Sequence, residues 1–196
     1  MTFDAATALV VVDMQNDFVD PAGTLSVAGA VGIIPFVNEH IRAAHEAGAT
    51  VAYTQDWHPA STPHFAKDGG IWPVHCVGES WGAELHPDLL VIEDAAAVRK
   101  GTEGADGYSG FSVRDPRSPE DIQPTPLAGI LEDHGIERVV VVGVATDYCV
   151  KETALDAIRL GFETLVLTDG VRSVDLEPGD GESAMAEMRE AGVTLR

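Results

Sequence analysis

Two near-continuous apolar runs of strand length, Ala8–Val12 and Arg138–Val142, constrain this chain most. Runs of that kind fit strands covered on both faces, which is the environment inside a parallel sheet. Segments with helical signals separate them. Ile33–Ala47 has helical periodicity and stops at Gly48, a C-cap signal. Thr125 and Pro126 read as an N-cap and first helical residue, opening a helix to about His134. Further helices are expected from about Asp147 to Leu160, closed by Gly161, and over Asp180–Ala191. Thr50–Thr54, a strand near Ala95–Arg99, Glu163–Leu167 and a short Val193–Leu195 complete the strands. Repeated β-α units predict a three-layer α/β/α fold around a mostly parallel, Rossmann-like sheet of about six strands. Residues 1–196 read as one domain, without linker or internal repeat. The charged, proline-rich stretch Arg114–Pro124 is expected to be a surface loop.

Composition narrows the partners. A formal charge of −20 repels nucleic-acid phosphates and anionic membrane surfaces, so neither is expected as a partner. No apolar run approaches membrane-spanning length, and no basic stretch precedes the first apolar run as a signal peptide would require. Two cysteines, Cys76 and Cys149, are too few for a disulfide framework, so free thiols and a cytoplasmic setting are expected. A homo-oligomer is compatible with the sequence, which does not fix the number of subunits.

In an open parallel sheet, ligands bind outside the carboxyl ends of the strands. The residues just past those ends are Asp13, then Asp56 and His58, then Lys100, then Gly143–Cys149. An acid, metal-ligating groups, a cation and a thiol therefore converge on one edge. Cys149 is expected in the first turn of a helix, where unpaired N–H groups and the dipole favour thiolate and could hold an oxyanion. Its alternative is a buried structural cysteine; Cys76 has no such setting and is read as packing. Lys100 could stabilise the thiolate, or be a solvated lysine opening the glycine-rich stretch Gly101–Gly110. Asp13 could move a proton to and from the thiol, or cap a turn, a job Asp17 would fill equally well.

Between Asp56 and Cys76 lie Asp-Trp-His-Pro, Thr-Pro-His-Phe and Trp-Pro-Val-His-Cys. They bring one carboxylate and three imidazoles, Asp56, His58, His64 and His75, into a proline- and glycine-rich segment. That donor set suits one divalent ion, Zn²⁺, Fe²⁺ or Mn²⁺, held by a loop, while the alternative is a polar surface loop. His40, His45, His86 and His134 are expected to be solvated.

Together, Val-Val-Asp-Met-Gln-Asn-Asp-Phe, the later Lys100 and Gly-Val-Ala-Thr-Asp-Tyr-Cys-Val resemble the isochorismatase-like cysteine hydrolases. The three histidine-bearing motifs resemble those of the nicotinamidases and pyrazinamidases within that group. The resemblance implies hydrolysis of nicotinamide to nicotinate and ammonia, an NAD-salvage reaction, with pyrazinamide also accepted. It implies a triad of Asp13, Lys100 and Cys149, and metal ligands Asp56, His58, His64 and His75, the metal positioning the pyridine nitrogen. It further implies an oxyanion hole of Ala145 and Cys149 N–H groups beside a cis Val144–Ala145 peptide, and a ring pocket walled by Phe18, Trp72 and Tyr108. Tyr148 falls at a variable position of the family. The rival readings are a relative acting on a non-pyridine amide or carbamoyl compound, and a metallohydrolase in which Cys149 is structural.

Overall fold

The computed structural model describes residues 2–115 and 118–196. Six strands form one parallel sheet: β1 (Thr7–Val12), β2 (Thr50–Asp56), β3 (Ala96–Lys100), β6 (Arg138–Val144), β7 (Glu163–Arg172) and β8 (Thr194–Leu195). Their spatial order is β3-β2-β1-β6-β7-β8, with every neighbouring pair parallel. The apolar runs read from the sequence are the two central strands. Val10 pairs with Val141 and Val11 with Val142, and all four side chains are buried.

Alternate residues of these strands serve opposite layers. Leu9, Val11, Val140 and Val142 pack with Ile33, Val37 and Ile41 of α2 (Ala30–Glu46). Val10, Val12, Val139 and Val141 pack on the other face. There they meet Leu127 and Leu131 of α3 (Leu127–Asp133), Ala154 of α4 (Lys151–Arg159) and Met188 of α5 (Asp180–Glu190). A fifth, short helix, α1 (Asn16–Val19), follows β1. The three-layer expectation therefore holds, with the sheet wholly parallel.

Four local expectations change. Helix α2 begins at Ala30, ahead of Pro35, because Ala30, Ile33 and Ile34 all bury against the sheet. The stretch expected as a loop contains strands: β4 (Ser112–Asp115) and β5 (Ser118–Pro124) pair antiparallel as a separate hairpin. Its Pro116 and Arg117 lie outside the described residues. The helix expected from Asp147 starts instead as a π-helical turn over Thr146–Val150, which α4 continues. His86 is buried, not solvated: its N–H donates to the Met14 carbonyl, and its Nδ1 accepts the Asp88 N–H at 3.2 Å. No helix among the described residues is long and apolar enough to cross a membrane.

Candidate active site

The ends of β1, β2, β3 and β6 deliver the predicted groups to one place. Asp13, the first residue past β1, is wholly buried and left-handed, with φ 49°. A non-glycine residue holds that conformation only where its surroundings fix it. Here Thr54 does so: its carbonyl oxygen and hydroxyl each lie 3.2 Å from the Asp13 N–H, and the hydroxyl donates back to Oδ1 at 2.6 Å. The other carboxylate oxygen accepts from Lys100 Nζ at 2.8 Å.

Lys100, the last residue of β3, is buried and not solvated. Its ammonium also reaches Asp56 Oδ1 at 2.8 Å, the Tyr108 carbonyl at 3.1 Å and Cys149 Sγ at 3.5 Å. Burial would discharge it, but the two carboxylates reverse that and hold its pKa well above the ordinary lysine value. Burial raises the Asp13 carboxyl against the pull of Lys100. Burial likewise pushes the Cys149 thiol well up; Lys100 opposes this and both carboxylates reinforce it. The sequence pointed to a thiol lowered by its helix terminus. In the fold, Cys149 sits in the π turn beside two carboxylates, so the resting group is a thiol with an adjacent base.

Asp56 links this cluster to the histidines. Its Oδ2 lies 3.7 Å from His58 Nε2 and 3.9 Å from His75 Nε2. The candidate ligand nitrogens of His58, His64 and His75 lie within 4.8 Å of one another, all on buried side chains. Nitrogens about 2.1 Å from one tetrahedral ion stand about 3.4 Å apart, so a small contraction would close the set on an ion. Both ring nitrogens of His58 are buried without a hydrogen-bond partner, a costly state that a cation would relieve at one of them. Glycine at 101 leaves room for that ring, since a Cβ there would lie 2.6 Å from His58 Nδ1. Burial lowers the His75 pKa to about 4, leaving its imidazole neutral as a ligand must be. Burial would raise the Asp56 carboxyl, but Lys100 and then His58 hold it far below the usual range. The residues therefore fit a divalent cation.

Gln15 sets the Asp56 backbone: its Oε1 accepts the Asp56 N–H at 2.8 Å and its Nε2 donates to the Asp56 carbonyl at 2.7 Å. Asp17 fills the structural role considered for Asp13, accepting the Cys76 N–H at 2.7 Å and the Thr24 N–H at 3.1 Å. Neither Gln15 nor Thr54 was singled out in the sequence, although Gln15 stands inside the Asp13 motif.

Between thiol and histidines lies a cleft of about 370 Å³ including its mouth. Phe18, Trp72 and Tyr108 line it as predicted, and Tyr148 is a fourth aromatic wall. Trp72 Nε1–H donates to the Tyr108 hydroxyl at 3.0 Å, and the Tyr148 ring meets both rings edge-on at about 5 Å. Burial pushes the Tyr108 phenol up to about 12. The Val144–Ala145 peptide is cis, as the resemblance implied, and the Ala145 carbonyl accepts the Tyr148 and Val150 N–H groups. Asp106, from the glycine-rich stretch, was not foreseen: its Oδ2 lies 2.8 Å from His64 Nδ1. Burial raises its pKa, but the His64 bond, followed by the His64 charge and the Gly107 N–H, together hold the carboxyl below its ordinary value. The sequence signal was weak, one of two acids among four glycines.

A family model of the Isochorismatase domain matches residues 7–196. The chain is 40% identical over 204 residues to the nicotinamidase of Escherichia coli, covering 96% of this chain and 93% of that protein. Among solved structures, the pyrazinamidase of Pyrococcus horikoshii in complex with zinc is 43% identical, with TM-score 0.87 over 97% of this chain and 98% of that one. A protein from L. infantum in complex with nicotinate is 37% identical, with TM-score 0.88 over 100% of this chain and 95% of that one.

Proposed function

The chain belongs to the isochorismatase family, and on that premise we propose that it is a nicotinamidase. It would hydrolyse nicotinamide, and pyrazinamide, to the acid and ammonia through a Cys149 thioester. The observation carrying this reading is one buried lysine shared between a thiol and two carboxylates, one of which turns its second oxygen towards two of the three histidines. Asp56, His58, His64 and His75 would hold a divalent ion that supplies a Lewis-acid contact for the ring nitrogen. The zinc in the P. horikoshii neighbour and the partnerless nitrogens of His58 support that assignment. Phe18, Trp72, Tyr108 and Tyr148 would wall the ring and present its carboxamide to Cys149.

In the first half-reaction the Asp13 carboxylate takes the Cys149 proton and the sulfur bonds to the carboxamide carbon. The carbonyl π pair moves to oxygen, where the Ala145 and Cys149 N–H groups receive it. The carbonyl re-forms, the C–N bond breaks and the nitrogen takes the proton from Asp13, leaving as ammonia. Asp13 then takes a proton from water as its oxygen adds to the thioester. The C–S bond breaks and the sulfur recovers that proton. Lys100 pulls Asp13 towards its anionic form against the burial that raises its pKa, and offsets charge on the sulfur.

Replacing Cys149 by Ala should abolish ammonia release from nicotinamide while the protein still retains one equivalent of zinc. Persistent turnover would instead support direct water activation at the histidine site. Side-by-side turnover of nicotinamide and linear carbamoyl compounds tests the substrate class, since a preference for the latter would refute the ring-pocket assignment.

A further inference from the structure

The three candidate ligand histidines are supported unequally. His75 Nδ1 faces a neutral acceptor, the Pro73 carbonyl, at 2.7 Å. His58 has no partner on either nitrogen. Among the described residues, only His64 of the three is hydrogen-bonded to a carboxylate, its Nδ1 lying 2.8 Å from Asp106 Oδ2. Asp106 is itself fixed in place. Its backbone N–H donates to the Arg114 carbonyl and its carbonyl accepts the Arg114 N–H, both at 2.6 Å. Its Oδ1 accepts the Gly107 N–H at 2.7 Å. Hairpin β4-β5 thus holds an acid whose free oxygen has one partner, the back of His64.

We propose that Asp106 is the positioning residue for His64, fixing the Nδ1–H tautomer so that Nε2 presents its lone pair to the cation site. The inference rests on the metal assignment above. An imidazole that donates to a carboxylate is oriented, and its opposite nitrogen becomes more basic; loss of such a partner typically costs about 10- to 100-fold in metal affinity. Without Asp106, His64 can take the other tautomer and place a proton where the cation should bind. His75 is held by the Pro73 carbonyl and His58 has no contact with Asp106 of this kind, so the loss would fall on His64.

The test is Zn²⁺ affinity of the full-length protein, measured by competition with a chromophoric chelator. Asp106→Ala should weaken binding by about 10- to 100-fold. Asp106→Asn should weaken it less, because its carboxamide oxygen still accepts the Nδ1–H; it also serves as the isosteric variant if the alanine protein does not fold. In a His64→Ala background, adding Asp106→Ala should change affinity by less than about twofold. Parent-like affinity in both Asp106 variants would overturn the inference. So would a full further loss in the His64→Ala background, which would assign the effect to the hairpin and not to His64. A parent protein that binds no zinc would refute the metal assignment itself, and this inference with it.

Discussion

Replacing Lys100 by Met keeps the aliphatic stem and removes one buried charge from between Asp13 and Asp56. Each carboxylate oxygen lies 2.8 Å from Nζ. Taking charge centres about 4 Å apart and an effective dielectric of about 20, each pair is worth about 4 kcal/mol. The gross attraction near 8 kcal/mol is offset by the several kcal/mol needed to desolvate the ammonium. A net loss of about 3–5 kcal/mol follows, the cost typical of breaking a buried ion pair from one side. Most of the stability of an ordinary domain, about 5–15 kcal/mol, could go. Part of the loss comes from two carboxylates left facing each other, with Asp13, Asp56 and Cys149 ligand atoms all within 4.8 Å. Adding Asp13→Asn to Lys100→Met should therefore recover at least about 1 kcal/mol. Urea unfolding of the metal-free proteins at neutral pH measures both, chelation ensuring that no cation takes over Asp56. The deficit of Lys100→Met should also shrink on acidification, as Asp13 takes up a proton. If Asp13→Asn destabilised the Lys100→Met protein further, the electrostatic account of this cluster would be wrong.

The chain's three tyrosines, Tyr53, Tyr108 and Tyr148, all have phenols raised by burial, Tyr108 to about 12. Native protein should show less tyrosinate absorbance at pH about 10 than the unfolded chain, which is half ionised there; equal absorbance would contradict the packing. Stability from Tyr108 is intact below pH about 10 and fades as pH rises towards about 12, because only the unfolded state ionises in that window. His75 acts in the opposite sense: with its pKa lowered from 6.5 to about 4, its contribution is present above 6.5 and lost as pH falls towards 4. The shift is worth at most about 3–4 kcal/mol, and chemical unfolding of the metal-free protein across that window should show a loss that His75→Gln removes. Gly143→Ala places a Cβ 2.1 Å from the Val12 carbonyl at a φ of +117°. It should cost at least about 3 kcal/mol, and a thermal midpoint within a few degrees of the parent would refute that reading.

What could be read from the sequence follows from burial. Ala8–Val12 and Arg138–Val142 declare themselves because a strand covered on both faces must be apolar throughout. Asp13, Lys100 and Cys149 stand out because they interrupt or end such runs. Hairpin β4-β5 was missed because it covers no core: Arg114 and Asp115 are exposed and the stretch is rich in proline and charge. The helix start at Cys149 favours thiolate, while the desolvation and two nearby carboxylates that raise its pKa come from distant parts of the chain, which the local sequence does not report. Asp106 and Gln15 act through partners 42 and 41 residues away, a separation that periodicity does not report.

The Asp56 carboxylate has one oxygen on Lys100 and the other towards His58 and His75. A cation drawing charge into Oδ2 leaves Oδ1 less able to neutralise the ammonium, which is then freer to stabilise a thiolate at Cys149. Binding on one side of this carboxylate and ionisation on the other therefore share a free energy, and such sharing is reciprocal. Zinc should lower the pH at which Cys149 reacts with a small alkylating agent. The thiolate should tighten zinc by the same factor.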